Sequence, residues 1–176
     1  MLLITLAAAC AGSQEGATTA IEDGPTAAND GMNANDSGQE ALTNGLNGLA
    51  YDFSPSWSPD ASKMAFSSRR PGDWEIWEIY VMDAQARNKT RLLGPQGRDE
   101  SPSWSPDGRK MAFQSRRKDK WHIYVVNVDG TGQVNLTDNP ADDALPSWSP
   151  DGSKIAFTRG GEIYARASDG SSQTNL

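Results

Sequence analysis

The chain has 176 residues, with 23 Asp and Glu against 16 Lys and Arg, and a formal net charge of −7. The excess sits in residues 1–50, which carry Glu15, Glu22, Asp23, Asp30, Asp36 and Glu40 and no base. The remaining 17 acids and 16 bases nearly cancel, which gives no electrostatic reason to expect DNA, RNA or an anionic membrane surface as partner.

The first nine residues are apolar and end in Ala7-Ala8-Ala9 before Cys10, the only cysteine. That pattern resembles the end of a bacterial lipoprotein signal, with Cys10 as the residue to be lipidated. The stretch is too short to span a bilayer and lacks the basic residues a signal normally starts with. A plain cleaved signal and no export are the other readings. Residues 1–10 are therefore taken as signal-like, and the expected location is periplasmic or outer-membrane-anchored. A lone cysteine permits no internal disulfide. Residues 11–50 are rich in Ala, Gly, Asn, Ser and Thr and contain no aromatic residue. Such a segment buries too little surface to offset its chain entropy, so it reads as a disordered linker. A short helix over Glu40–Leu46 is the minor alternative.

From residue 51 the chain repeats. Pro-Ser-Trp-Ser-Pro-Asp occurs at Pro55–Asp60, Pro102–Asp107 and Pro146–Asp151, with Trp57, Trp104 and Trp148 spaced by 47 and 44 residues. A period of about 40–45 residues is that of one four-stranded propeller blade. Three units follow, 51–94, 95–138 and 139–176. Each continues with Lys63-Met64-Ala65-Phe66 or its equivalent, then Ile79-Tyr80-Val81 or its equivalent.

Within a unit the first strand carries Pro-Ser-Trp-Ser. Ser-Pro-Asp-Gly then makes a tight turn, with Gly108 and Gly152 suited to a left-handed residue. The first unit has Ala61 at that place. The second strand is Met111-Ala112-Phe113 and its equivalents. The third is Trp121–Val126, apolar on both faces as in a blade between neighbouring blades. Asp129-Gly130 leads to a short fourth strand over Val134–Thr137. The first unit is longer because Trp74-Glu75-Ile76 is followed by Trp77-Glu78-Ile79. Three residues inserted within a strand would reverse side-chain parity, so one copy is expected to loop out before it. The fold class is thus all-β, a β-propeller of about three four-stranded blades after the disordered segment.

These motifs resemble the TolB-like propeller repeat, over Asp52 to Leu176, about 70 % of the chain. The resemblance implies a non-catalytic, exported scaffold that binds a protein or peptide. Similar repeats also form the N-terminal propeller of prolyl oligopeptidase-like serine peptidases, which is the alternative function, the catalytic domain then lying outside this chain. Three units do not close a ring, since propellers typically need about 4–8 blades. The expectation is an incomplete propeller, either a piece of a longer reading frame or one that self-associates to close.

The loops joining second to third strands share a face with the loops joining blades. That places Arg69, Arg70, Arg116, Arg117 and Arg159 beside Asp52, Asp99 and Asp143. Pairing that fixes the loops is one reading, worth about 0–1 kcal/mol per exposed pair. The other has the acids lining the channel mouth to hold a hard cation or a basic partner group, and the arginines contacting a partner. The doubling leaves one of Trp74 and Trp77 surplus as a candidate contact residue, and Trp74 joins that partner-binding set. His122 stands where the other units have Glu78 and Glu162, which marks a polar strand position. Asn127-x-Asp129-x-Thr131-Gly132 only faintly resembles a calcium loop, lacking its closing Glu. No nucleophile elbow, zinc motif or phosphate loop occurs, so neither an enzyme, nor a metal site, nor a cofactor is expected.

Overall fold

The computed structural model describes residues 33–34, 40–43, 51–69, 76–117, 119–171 and 173–175. Two short strands, β1 (Asn33–Ala34) and β2 (Glu40–Ala41), pair antiparallel. Three four-stranded antiparallel sheets follow. The first comprises β3 (Tyr51–Trp57), β4 (Lys63–Arg69), β5 (Glu78–Asp83) and β6 (Thr90–Arg91). The second comprises β7 (Arg98–Trp104), β8 (Lys110–Arg117), β9 (Lys120–Asn127) and β10 (Val134–Asn135). The third comprises β11 (Asp143–Trp148), β12 (Lys154–Arg159), β13 (Glu162–Ala167) and β14 (Gln173–Asn175). Each sheet keeps its strands in sequence order, the meander of a propeller blade.

Alternation along the second strand sends neighbouring side chains to opposite neighbours. Ala65 and Ile79 of blade one meet Trp104, Met111, Phe113, Tyr124 and Val126 of blade two. The other face of blade two gives Ala112, Ile123, Val125 and Leu136 to Ile155 and Phe157 of blade three. Each buried Phe or Ile contributes about 1.5–3 kcal/mol, so the core lies between the blades. Every blade repeats one cross-strand stacked pair, Phe66–Tyr80, Phe113–Tyr124 and Phe157–Tyr164, with ring centroids 6.1, 5.8 and 6.0 Å apart.

The Ser-Pro-Asp turns are alike in all three blades. Ser58 Oγ donates to Asp60 at 2.7 Å and accepts the Lys63 amide at 2.9 Å, and Ser105 and Ser149 do the same with Asp107 and Lys110, and Asp151 and Lys154. The fourth residue of the turn is left-handed, at φ 56° for Ala61 against 68° and 71° for Gly108 and Gly152. A second left-handed residue recurs where the first strand slips register, at Ser54, Ser101 and Leu145.

Two observations fall within the span read as linker. No helix forms at Glu40–Leu46 among the described residues, because Glu40 and Ala41 are paired with Ala34 and Asn33. Within the span read as linker, Leu42 also packs on Met64, Phe66 and Met82, the blade-one face turned away from blade two. The doubled Trp-Glu-Ile falls as expected. Ser68 pairs with Glu78 as Ser115 pairs with His122, so strand parity is kept.

Candidate functional site

The strand ladders fix which residues of the loop face are equivalent. Asp52 is opposite Ser68, Asp99 opposite Ser115, and Asp143 opposite Arg159. The sequence had grouped Arg159 with Arg69 and Arg116. Its register instead places it where the other blades carry serine, two residues after Phe157 as Ser68 follows Phe66 and Ser115 follows Phe113.

The recurring acids are used inside their own blades. Ser68 donates to Asp52 and Ser115 to Asp99, each at 2.5 Å. Arg159 donates Nε and a terminal nitrogen to Asp143 at 2.6 and 3.0 Å, and Asn139 adds a bond at 2.6 Å. Asp143 is wholly buried and Asp99 is 2 % exposed, so these two do not line an open channel mouth. Burial pushes the Asp99 carboxyl up to about 6, against the opposing pull of the Ser115 hydrogen bond and of Arg117. Arg117 donates Nε to Ser115 at 3.0 Å, approaches Asp99 at 3.9 Å and lies 4.2 Å over the Tyr124 ring. Arg159 lies 4.8 Å over Tyr164 in the same way. Arg117 and Arg159 are therefore held inward as parts of the blades.

A different set is half-buried beside the exposed Tyr51. Arg69 lies 4.9 Å over Tyr51 and 5.0 Å over Trp77. Arg98 lies 5.7 Å from Trp77 and 5.6 Å from Trp121. Tyr51, Arg69, Trp77, Arg98 and Trp121 thus form one ladder of alternating aromatic and guanidinium groups across blades one and two. Such contacts contribute about 0.5–1 kcal/mol each at exposed sites. Arg116 is exposed beside the ladder, directly opposite Arg98. Sequence reasoning included Arg69 and Arg116, took Trp74 over Trp77 as the candidate contact, and missed Arg98 and Trp121. Arg98 has no counterpart in the other units, and only the register of Trp77 with Trp121 separates it from Trp74. Cys10, Arg70 and Trp74 lie outside the described residues.

His122 Nε2 is 2.8 Å from the Asn139 carbonyl, as a polar strand residue would be. Asp129 caps its own turn through the Thr131 amide and hydroxyl. Among the described residues no three His, Cys, Asp or Glu side chains converge to hold a metal ion.

The sequence matches the TolB beta propeller domain over residues 36–130 and 78–176, most of the chain. The chain belongs to that family. A search of curated proteins finds no match. Among solved structures, the Agrobacterium tumefaciens protein assigned as TolB superposes with a TM-score of 0.66 at 26 % identity, covering 82 % of this chain and 58 % of that one. TolB from Acinetobacter baumannii superposes at 0.60 with 26 % identity, covering 72 % and 32 %. This TolB-type propeller chain thus spans 58 % and 32 % of the lengths of those two. Prolyl endopeptidase structures share the fold at 15 % identity and a TM-score of 0.60, over 80 % of this chain and 24 % of theirs.

Proposed function

We propose that this chain is a non-catalytic, exported propeller scaffold that binds a protein or peptide through its loop face. The observation that carries the reading is the ladder from Tyr51 to Trp121. It leaves aromatic and cationic groups partly accessible beside the exposed Tyr51 and Arg116, while the repeat's acids are consumed within the blades. Aromatic and arginine side chains are the groups enriched at protein interfaces. The likeness to TolB from two bacteria supports an exported role, and the apolar stretch ending at Cys10 supports a lipid-anchored one in the periplasm or at the outer membrane. Self-association belongs to the same proposal, because Ile163 on the outer side of blade three and Trp57 at the end of the first strand of blade one are both exposed.

The experiment is site-specific photo-crosslinking in cells, with the crosslinker at Arg116 on the loop face or at Asp107 on the opposite turn face. A discrete adduct at 116 that is absent at 107 is the expected result. Arg116→Glu should abolish capture of that partner without lowering the melting temperature. Equal labelling from both positions would remove the loop face as the binding surface. The peptidase alternative rests on fold likeness alone.

A further inference from the structure

We infer that Arg98 and Arg116 form a carboxylate-binding pair, the point at which an acidic side chain of the peptide partner docks. This rests on the loop face being the partner surface, and it names the chemistry that surface takes.

The two arginines are direct cross-strand partners at the ends of β7 and β8, with Trp121 next in the same row. Directly opposed side chains have their Cβ atoms about 4.5–5.5 Å apart, and like charges so placed are destabilising. Nearby cations already have anions. Arg117 is engaged by Ser115 and Asp99, and Lys120 is 3.8 Å from Asp142. Arg98 pairs with Glu100 through Nε alone. Among the described residues its terminal nitrogens carry no hydrogen bond, and Arg116 has neither a hydrogen bond nor an ion pair.

Arg98 is also preorganised. Its guanidinium is flanked by Trp77 and Trp121. Glu100, which orients it, accepts Gln114 Nε2 at 3.1 Å, and Gln114 Oε1 accepts the Leu145 amide of blade three at 2.9 Å. A guanidinium fork fixed in this way matches a carboxylate and loses little entropy on binding it. One guest carboxylate would relieve the Arg98–Arg116 repulsion, and the tryptophan faces beside it would take the apolar residues that flank an acid in a peptide. The pair is not a repeat feature. The matching row holds Tyr51 and Arg69 in blade one, and Asp142 and Gly160 in blade three.

The test is an NMR titration of the full chain with acetyl-tetraglutamate amide, read at the assigned indole N–H signals. The expected result is selective movement of the Trp77 and Trp121 signals, none with tetraglutamine, and affinity about tenfold weaker in Arg116→Gln, as loss of a charged hydrogen bond predicts. Arg98→Gln should weaken it at least as much. Unmoved indoles, unchanged affinity in Arg116→Gln, or equal movement with inorganic phosphate would overturn the assignment. Crosslinking at 116 with no tetraglutamate response would sink this inference alone and leave the partner face standing.

Discussion

Arg159 lies directly across the β-ladder from Asp143 and holds both of its carboxylate oxygens, in the place where the two earlier blades use a serine. The same aspartate therefore has two kinds of partner in one protein. Asp143 is completely buried, so the pair is sensitive to loss of one member. Removing the arginine strands a buried charge, which the Asn139 amide satisfies only in part.

Arg159→Ala should destabilise the protein by about 3 kcal/mol, the usual cost of breaking a buried pair from one side. Arg159→Ser should lose only about 1 kcal/mol, since it recreates a neutral hydrogen bond of the kind Ser68 gives Asp52. Urea unfolding of both variants separates the outcomes. Equal losses would mean that the repeat's serine solution does not transfer to blade three.

Ala61 holds φ 56° at a turn position where the other blades have glycine. A side chain in the left-handed region costs about 1–2 kcal/mol, and glycine gives back part of that as extra freedom in the unfolded chain. Ala61→Gly should raise stability by up to about 1 kcal/mol. A lower urea midpoint in this variant would show that the turn bears no strain.

The strained turn was legible in the sequence because the three units align there without a gap. The blades, the Ser-Pro-Asp turn and the apolar alternation were legible for the same reason, being local patterns repeated three times. The loop face was legible only in part. Arg159 was grouped with Arg116 as the arginine that ends the second strand, although it stands two residues after Phe157 as Ser115 stands two after Phe113, a spacing that already sets it with the serines. Arg98 was invisible because its role comes from Trp77 and Trp121, which lie on different blades.

Asp99 and the turn aspartates should give stability opposite pH dependences. Asp99 titrates near 3.8 when unfolded and near about 6 when folded, because burial penalises its charge. Between those values the folded state binds more protons, so stability falls as pH rises from 3.8 to about 6 and is level above. Asp60 and Asp151 are drawn down to about 2, chiefly by the Ser58 and Ser149 hydroxyls. Their contribution is present above 3.8 and is lost as pH falls towards 2. Asp99→Asn should remove the upper slope, worth on the order of 3 kcal/mol, and keep the lower one. Denaturation at pH 3, 4, 5, 6 and 7 checks this, and an unchanged upper slope in Asp99→Asn would assign it to another group.

Trp57 should control self-association. At the junction of blades one and two, the Trp104 indole donates to the Ser56 carbonyl at 3.0 Å, and the Ser101 amide donates to Ser67 at 3.0 Å. The equivalent Trp148 nitrogen is buried without a hydrogen-bond partner, so burial of the ring matters more than this bond. Trp57 occupies the same repeat position on blade one but is 49 % exposed, and burying an aromatic ring of this kind stabilises by about 1.5–3 kcal/mol. A second copy can supply the missing neighbour by placing the outer side of its third blade there, a head-to-tail contact that repeats the geometry already used twice within the chain. Sedimentation velocity should show concentration-dependent association of the full chain, and a monomer for Trp57→Lys at the same concentrations. The substitution should leave the unfolding midpoint of the monomer within about 0.5 kcal/mol of its original stability, as expected for an exposed site. If both proteins sediment identically at every concentration, the exposed Trp57 of blade one does not recruit another copy.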